Sequence, residues 1–138
     1  MKIIIIILSL FSVIVSCKEK EEEKIKPDLT RTEVIKLIAI ATNPLNLIGV
    51  NLSGVDLSGL YLDKATLTGA NLSGANLSGA NLFYANLSGA NLSGAFLRGA
   101  KIDGANLVGA NIDGAEIDGA EIFHYWVLGA DTTNVKRI

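Results

Sequence analysis

The chain has 138 residues with 12 basic and 14 acidic side chains, which by length is one domain and by charge offers no general basic footprint for nucleic acid. One Cys and one His exclude an intramolecular disulfide, a multi-Cys zinc site and a His-rich metal centre built from a single chain. Aromatic residues are 6% of the sequence while Gly numbers 14, so an ordinary aromatic-rich core gives way to a search for repeats.

Residues 1–16 begin with Met1 and Lys2 and continue as an apolar run through Val15. A basic start followed by a short apolar stretch is the pattern of an export signal, and the run is too short for the ~20 apolar residues of a membrane-spanning helix. Residues 14–17, Ile-Val-Ser-Cys, resemble the bacterial lipobox. That resemblance implies a cleaved lipoprotein signal peptide, a lipid such as palmitate on Cys17, and a membrane-anchored protein of the cell envelope, at the outer membrane or cell surface ahead of the inner membrane. The plainer alternative is a free Cys17 at the end of an ordinary signal peptide.

Residues 17–29 come next as a charged tether, in which Lys18, Lys20, Lys24 and Lys26 alternate with Glu19, Glu21, Glu22 and Glu23. Such a segment has too little apolar surface to bury itself. Over residues 30–44 the pattern changes. Thr30-Arg31-Thr32-Glu33 has the form of a capping box and precedes Val34, Ile35, Leu37, Ile38 and Ile40, which predicts a short helix over residues 31–41, kept by Pro44 from running into the segment beyond it.

From residue 45 to 129 the sequence divides into 17 pentapeptides, most of them close to Ala-Asn-Leu-Ser-Gly. The third position is aliphatic throughout, and every Gly of the chain falls at the fifth. Five residues of α-helix would rotate successive Leu by about 140° and scatter them around the axis. A flat strand would send them to alternating faces, because five is odd. What remains is a short extended piece with its first and third residues inward, closed by a bend at the fourth and fifth. Repeated, this gives an all-β solenoid over residues 45–131, with Gly supplying the positive φ of a type II turn.

These repeats resemble the pentapeptide repeat family, which implies a right-handed quadrilateral parallel β-helix with four repeats per coil and about four coils in this chain. The sequence carries its own sign of a 20-residue coil. The fifth position departs from Gly at Lys64, Tyr84 and His124, which then share one column.

Stacked in that register, Asn51, Asn71, Asn91 and Asn111 form a column of amides expected to bond along a ladder. The fourth face instead gathers Tyr61, Asp63, Lys64, Phe83, Tyr84, Lys101, Asp103, Glu121, Phe123 and His124. Exposed aromatic residues among charges suit a protein-binding face, and the alternative is that this side packs the N-terminal segment. The open ends of a solenoid need covers: the helix at one end, and Tyr125, Trp126 and Leu128 at the other, before a tail of residues 132–138.

No nucleophile elbow, phosphate loop or paired-His motif occurs, so the chain reads as not an enzyme, with no cofactor, no metal, no nucleic acid and no small-molecule substrate. His124, Glu121 and Asp103 are the nearest approach to a metal set and are not assigned as one. The leading expectation is a structural scaffold or protein-binding module whose partners are the membrane, through Cys17, and another envelope or external protein. The alternative is a resemblance to the quinolone-resistance pentapeptide proteins, which imitate duplex DNA and inhibit gyrase. The acidic balance of the repeats favours that alternative, while the export leader and the short tail oppose it.

Overall fold

The computed structural model describes residues 26–41 and 44–120. The leader, Cys17, most of the tether, Glu121, Phe123, His124 and the expected C-terminal cover of Tyr125, Trp126 and Leu128 lie outside the described residues.

Within the repeats each pentapeptide does the same thing. The third-position carbonyl accepts from the N–H of the next first position, as Ala70 N–H donates to Leu67 O at 3.0 Å. The fifth residue inside that turn has φ near +65°, as at Gly74 (+63°), while no fourth-position residue is positive among those described. Negative then positive φ at the two central positions defines the type II turn expected from Gly. Each turn bends the chain once, and four bends return it to the same side.

The return is fixed at 20 residues. Parallel bridges join Asn46 to Thr66, Asn51 to Asn71, Asp56 to Asn76 and Tyr61 to Asn81, and the same offset continues to Phe96 and Glu116. The four columns that start at Asn46, Asn51, Asp56 and Tyr61 define the first, second, third and fourth faces. Between coils, Leu72 N–H donates to Asn91 O at 2.7 Å, Gly74 N–H donates to Ser93 O at 2.9 Å, and Asn71 N–H donates back to Val50 O at 3.0 Å. The backbone is thus paired along the solenoid axis, with coils spaced like strands at about 4.8 Å.

The core follows from the period. Third-position Leu residues from Leu47 to Leu107 and first-position Ala residues from Ala65 to Ala115 are buried, and among the described residues no polar or charged side chain is buried with them. Alanine fits where four corners crowd the interior, and Leu fills the middle. The larger first-position residues Val50 and Leu60 are only partly buried, at the N-terminal coil.

Helix α1 (Arg31–Ile40) opens with the expected capping box. Thr30 N–H donates to Glu33 Oε2 at 2.7 Å, and Glu33 N–H donates to Thr30 Oγ1 at 3.4 Å. The bond from Thr30 N–H, with a second from Thr30 Oγ1–H to Glu33 Oε2 at 2.7 Å, holds the Glu33 carboxyl below its usual range. The helix ends one residue before the sequence suggested, with Ala41 already extended at the C-cap. Val34 is buried in the solenoid core, and Leu29, Leu37 and Ile38 pack beside it.

The first coil has no coil before it, and its exposed carbonyls are met by residues 26–31. On the second face Asp28 N–H donates to Asn51 O at 2.7 Å, Asn51 N–H donates to Asp28 Oδ2 at 2.7 Å, and Asn51 Nδ2 donates to Lys26 O at 3.0 Å. On the third face one guanidinium stands in for two backbone amides: Arg31 Nη1 donates to Asp56 O at 2.9 Å and Nη2 donates to Ser58 O at 3.0 Å. One coil further on, the same carbonyl positions accept from Leu57 N–H and Gly59 N–H. Arg31 also pairs with Asp56 Oδ1 at 3.4 Å. Ser58, by its hydroxyl first and its N–H second, and then this cation hold the Asp56 carboxyl below its usual range.

Candidate interaction face

Outward side chains come from positions two, four and five of each repeat. At position two the dominant residue is Asn, and its role differs from the expected ladder. Asn71 Oδ1 accepts from Ser73 N–H at 3.1 Å, Asn91 Oδ1 from Ser93 N–H at 3.1 Å, and Asn111 Oδ1 from Asp113 N–H at 2.9 Å. The amide oxygen is spent on its own turn, in the Asx geometry that leaves little for the coil above. Along that column one side-chain contact bridges coils, Asn91 Nδ2 to Asn71 Oδ1 at 3.5 Å. The Asn residues are structural, as expected, but by closing turns rather than by stacking; the recurrent Asn two residues ahead of Ser was the available signal.

On the fourth face Asn81 keeps this bond, accepting from Phe83 N–H at 3.1 Å, while the fourth positions, two of the fifth and the other second positions differ. The first described repeat there carries Tyr61, Asp63 and Lys64, the second Asn81, Phe83 and Tyr84, and the third Lys101, Asp103 and Gly104. Lys64 and Tyr84 occupy the fifth position with φ of 59° and 56°, the two non-glycine residues at positive φ among those described. An L-residue there costs roughly 1–2 kcal/mol relative to glycine. Inter-coil bonds hold both: Lys64 N–H donates to Phe83 O at 2.8 Å, and Tyr84 N–H donates to Asp103 O at 3.1 Å.

Tyr84 lies against the turn below it. A Cβ built on Gly104 would stand 2.5 Å from Tyr84 Cδ1 and Cε1, so the ring fits because residue 104 has no side chain. Phe83 meets Tyr84 edge to face, with ring centroids 4.4 Å apart and planes at 73°. Tyr61, Phe83 and Tyr84 remain 73%, 37% and 59% exposed. Asp63, Lys64, Asn81, Phe83, Tyr84, Lys101 and Asp103 together line an open depression of about 570 Å³. Seven of the ten residues expected on this face are therefore on one side of the solenoid, and Glu121, Phe123 and His124 lie outside the described residues. Helix α1 is bonded to the second and third faces through Arg31 and the residues before it, not to this one.

The first and second faces carry less chemistry, whereas the third bears Asp56, Phe96, Arg98, Glu116 and Asp118 on its outward positions. The described outward residues of the first face, from Asn46 to Val108, are uncharged, and those of the second include one acid, Asp113. Among the described residues no three His, Cys, Asp or Glu side chains stand together as a metal site, and no helix is long and apolar enough to cross a membrane.

Comparison with known families matches the model "Pentapeptide repeats (8 copies)" to residues 46–82 and 80–119. The chain belongs to the pentapeptide repeat family. Among solved structures it is similar to the pentapeptide repeat protein Rfr23 of the cyanobacterium Cyanothece 51142, with 33% identity and a TM-score of 0.58, over 72% of this chain and 64% of that one. It is also similar to QnrB1, a plasmid-mediated fluoroquinolone resistance protein, with 20% identity and a TM-score of 0.58, over 70% of this chain and 56% of that one. At that identity QnrB1 speaks for the fold alone. The pentapeptide repeat chain thus spans less than two thirds of the length of either structure. A comparison with curated proteins finds no match. The four bridge columns and these neighbours together make the fold a right-handed quadrilateral β-helix.

Proposed function

We propose that this pentapeptide repeat protein is a lipid-anchored envelope protein, a non-enzymatic scaffold whose fourth face binds another protein. The observation that carries the reading is the pairing of Cys17, set directly behind a basic start and apolar run that read as an export signal, with a solenoid whose fourth side gathers three exposed aromatic residues among charges. In this reading α1 is the N-terminal cap of about four coils, and because Lys26, Asp28 and Leu29 of the expected 17–29 tether are held on the first coil, residues 17–25 form the spacer that holds the prism off the membrane. Nine tether residues at about 3.3 Å each would reach some 30 Å.

A gyrase inhibitor of the quinolone-resistance type is the second reading, favoured by the fold shared with QnrB1 and by six acids against three bases over residues 46–120. DNA carries one phosphate charge per ~1.7 Å of axis. A mimic built on this prism would need acids coil after coil, whereas the first face has none among its described residues, the second has Asp113 alone, and the third, with Asp56, Glu116 and Asp118, has none in its two middle coils, where Arg98 stands instead. Charge distribution therefore supports the first reading.

The deciding experiment is incorporation of labelled palmitate into the wild-type chain and into Cys17→Ser in a bacterial host. Label in the wild type alone is expected. An unlabelled, cytoplasmic wild type would overturn the anchored reading and direct the next assay to gyrase supercoiling.

A further inference from the structure

The fourth face has a property that the other faces lack: its fourth- and fifth-position residues are complementary to themselves. At one coil Asp63 adjoins Lys64, at the next Phe83 adjoins Tyr84, and at the third Asp103 adjoins Gly104, in the common 20-residue register. Consider a two-fold axis parallel to the solenoid, running between positions four and five. It places each fourth-position residue opposite the fifth-position residue of a second copy at the same height. Asp63 then meets Lys64, Lys64 meets Asp63, Phe83 meets Tyr84, and Asp103 meets the space over Gly104.

We infer that the fourth face pairs two copies of this chain side by side and in the same direction. This deepens the proposed protein-binding role, and rests on it, by naming the partner. An exposed aromatic pair at the centre with charges at the rim is the arrangement of an interface hot spot, and an isologous contact requires this kind of self-complementarity. Charge selects the direction. An antiparallel pair centred on Phe83 and Tyr84 would set Asp63 against Asp103 twice, and like charges in opposition are unfavourable. The parallel pair sets like charges only on diagonals: Asp63 and Lys64 each have an opposite charge directly across, and only Asp103, beside the side-chain-free Gly104, does not.

Parallel pairing also puts both N-termini at the same end, as two chains tethered to one membrane require. Five side chains per copy make a contact well below the ~800 Å² per partner of a stable interface. Such a pair is weak for free chains and becomes populated where tethering raises the effective concentration toward the millimolar range.

The test uses the full chain in a bacterial host with Phe83 replaced by the photo-crosslinker p-benzoylphenylalanine. Illumination should give a product of twice the chain mass. Asp63→Lys and Lys64→Asp should each reduce its yield several-fold, and the double variant Asp63→Lys/Lys64→Asp should restore it, with melting of the purified chains unchanged. Asp suits position 64 because it tolerates positive φ. A double-mass product without restoration in the double variant overturns the pairing. A product of another mass also overturns it but leaves the face as a site for a different protein, and no product overturns both.

Discussion

Tyr84 and Gly104 occupy equivalent turns of neighbouring coils, and the ring of the first fills the space that any side chain on the second would take. Gly74 has the same positive φ, with nothing within 4 Å of its built Cβ. The two glycines therefore separate the conformational cost of a side chain from its steric cost. Gly74→Ala should lose about 1 kcal/mol from backbone strain alone. Gly104→Ala should lose at least twice that, and Tyr84→Gly should return the excess. A double-mutant cycle by thermal melting measures the coupling, and equal losses at the two glycines would show that the ring moves aside freely.

Lys64 also has positive φ, and the turn below it carries Tyr84 rather than a glycine for its side chain to pack over. Lys64→Gly should stabilise the solenoid by up to about 1 kcal/mol, read as a rise in Tm, since glycine removes the strain while adding some entropy to the unfolded chain. A fall in Tm would mean that the Lys64 side chain makes a larger contribution than its exposure suggests.

Leu87 is fully buried and Ser88, next to it, points outward. Leu87→Asp should abolish cooperative melting by burying an unpaired charge, whereas Ser88→Asp should fold normally. Leu87→Ala, which leaves a cavity, should cost about 2–5 kcal/mol. Comparable damage from Ser88→Asp would contradict the inward register.

Arg31 satisfies two edge carbonyls with one planar group. Arg31→Ala should cost about 1–2 kcal/mol, mostly from those two bonds, because the ion pair with Asp56 is solvent-exposed and worth little. Arg31→Lys should recover less than half, since a single ammonium cannot span both carbonyls. Hydrogen exchange would localise the loss to the N-terminal coil.

Glu33 and Asp56 both have lowered pKa values in the fold, Glu33 through bonds from Thr30 and Asp56 chiefly through Ser58. A group whose folded pKa lies below its unfolded value stabilises the fold above the unfolded value, and that stabilisation disappears as pH falls through the folded one. The N-terminal coil and α1 should therefore loosen first as pH falls below about 4, while the uncharged Ala and Leu core persists. Far-UV circular dichroism against pH, with Glu33→Gln and Asp56→Asn removing the early phase, checks this.

The period of five made the solenoid legible, because no helix or flat strand keeps every fifth residue inside. The three non-glycine turns made the 20-residue coil legible, and the structure pairs Tyr61 with Asn81 and Asn81 with Lys101 at that spacing. What the pattern did not convey were contacts that depend on where an end falls or how an amide turns. Arg31 looked like an ordinary first-turn residue, and only the missing coil beneath Asp56 and Ser58 gives its guanidinium two carbonyls to meet. The Asn column suggested a ladder because periodicity shows which residues align but not which lone pair is already taken by the same turn. The consequence of Tyr84 for Gly104 was equally hidden, since glycine is the common residue at that position for another reason.

The fixed offset between bridged residues makes length a matter of whole circuits. Inserting 20 residues before Leu82 would lengthen the prism and leave every later side chain on its present side. Inserting five would preserve the Ala and Leu interior equally well, yet turn everything downstream by a quarter, so that Phe83 and Tyr84 no longer stood below Asp63 and Lys64. A protein of this kind can grow without harm to its core and still lose its address.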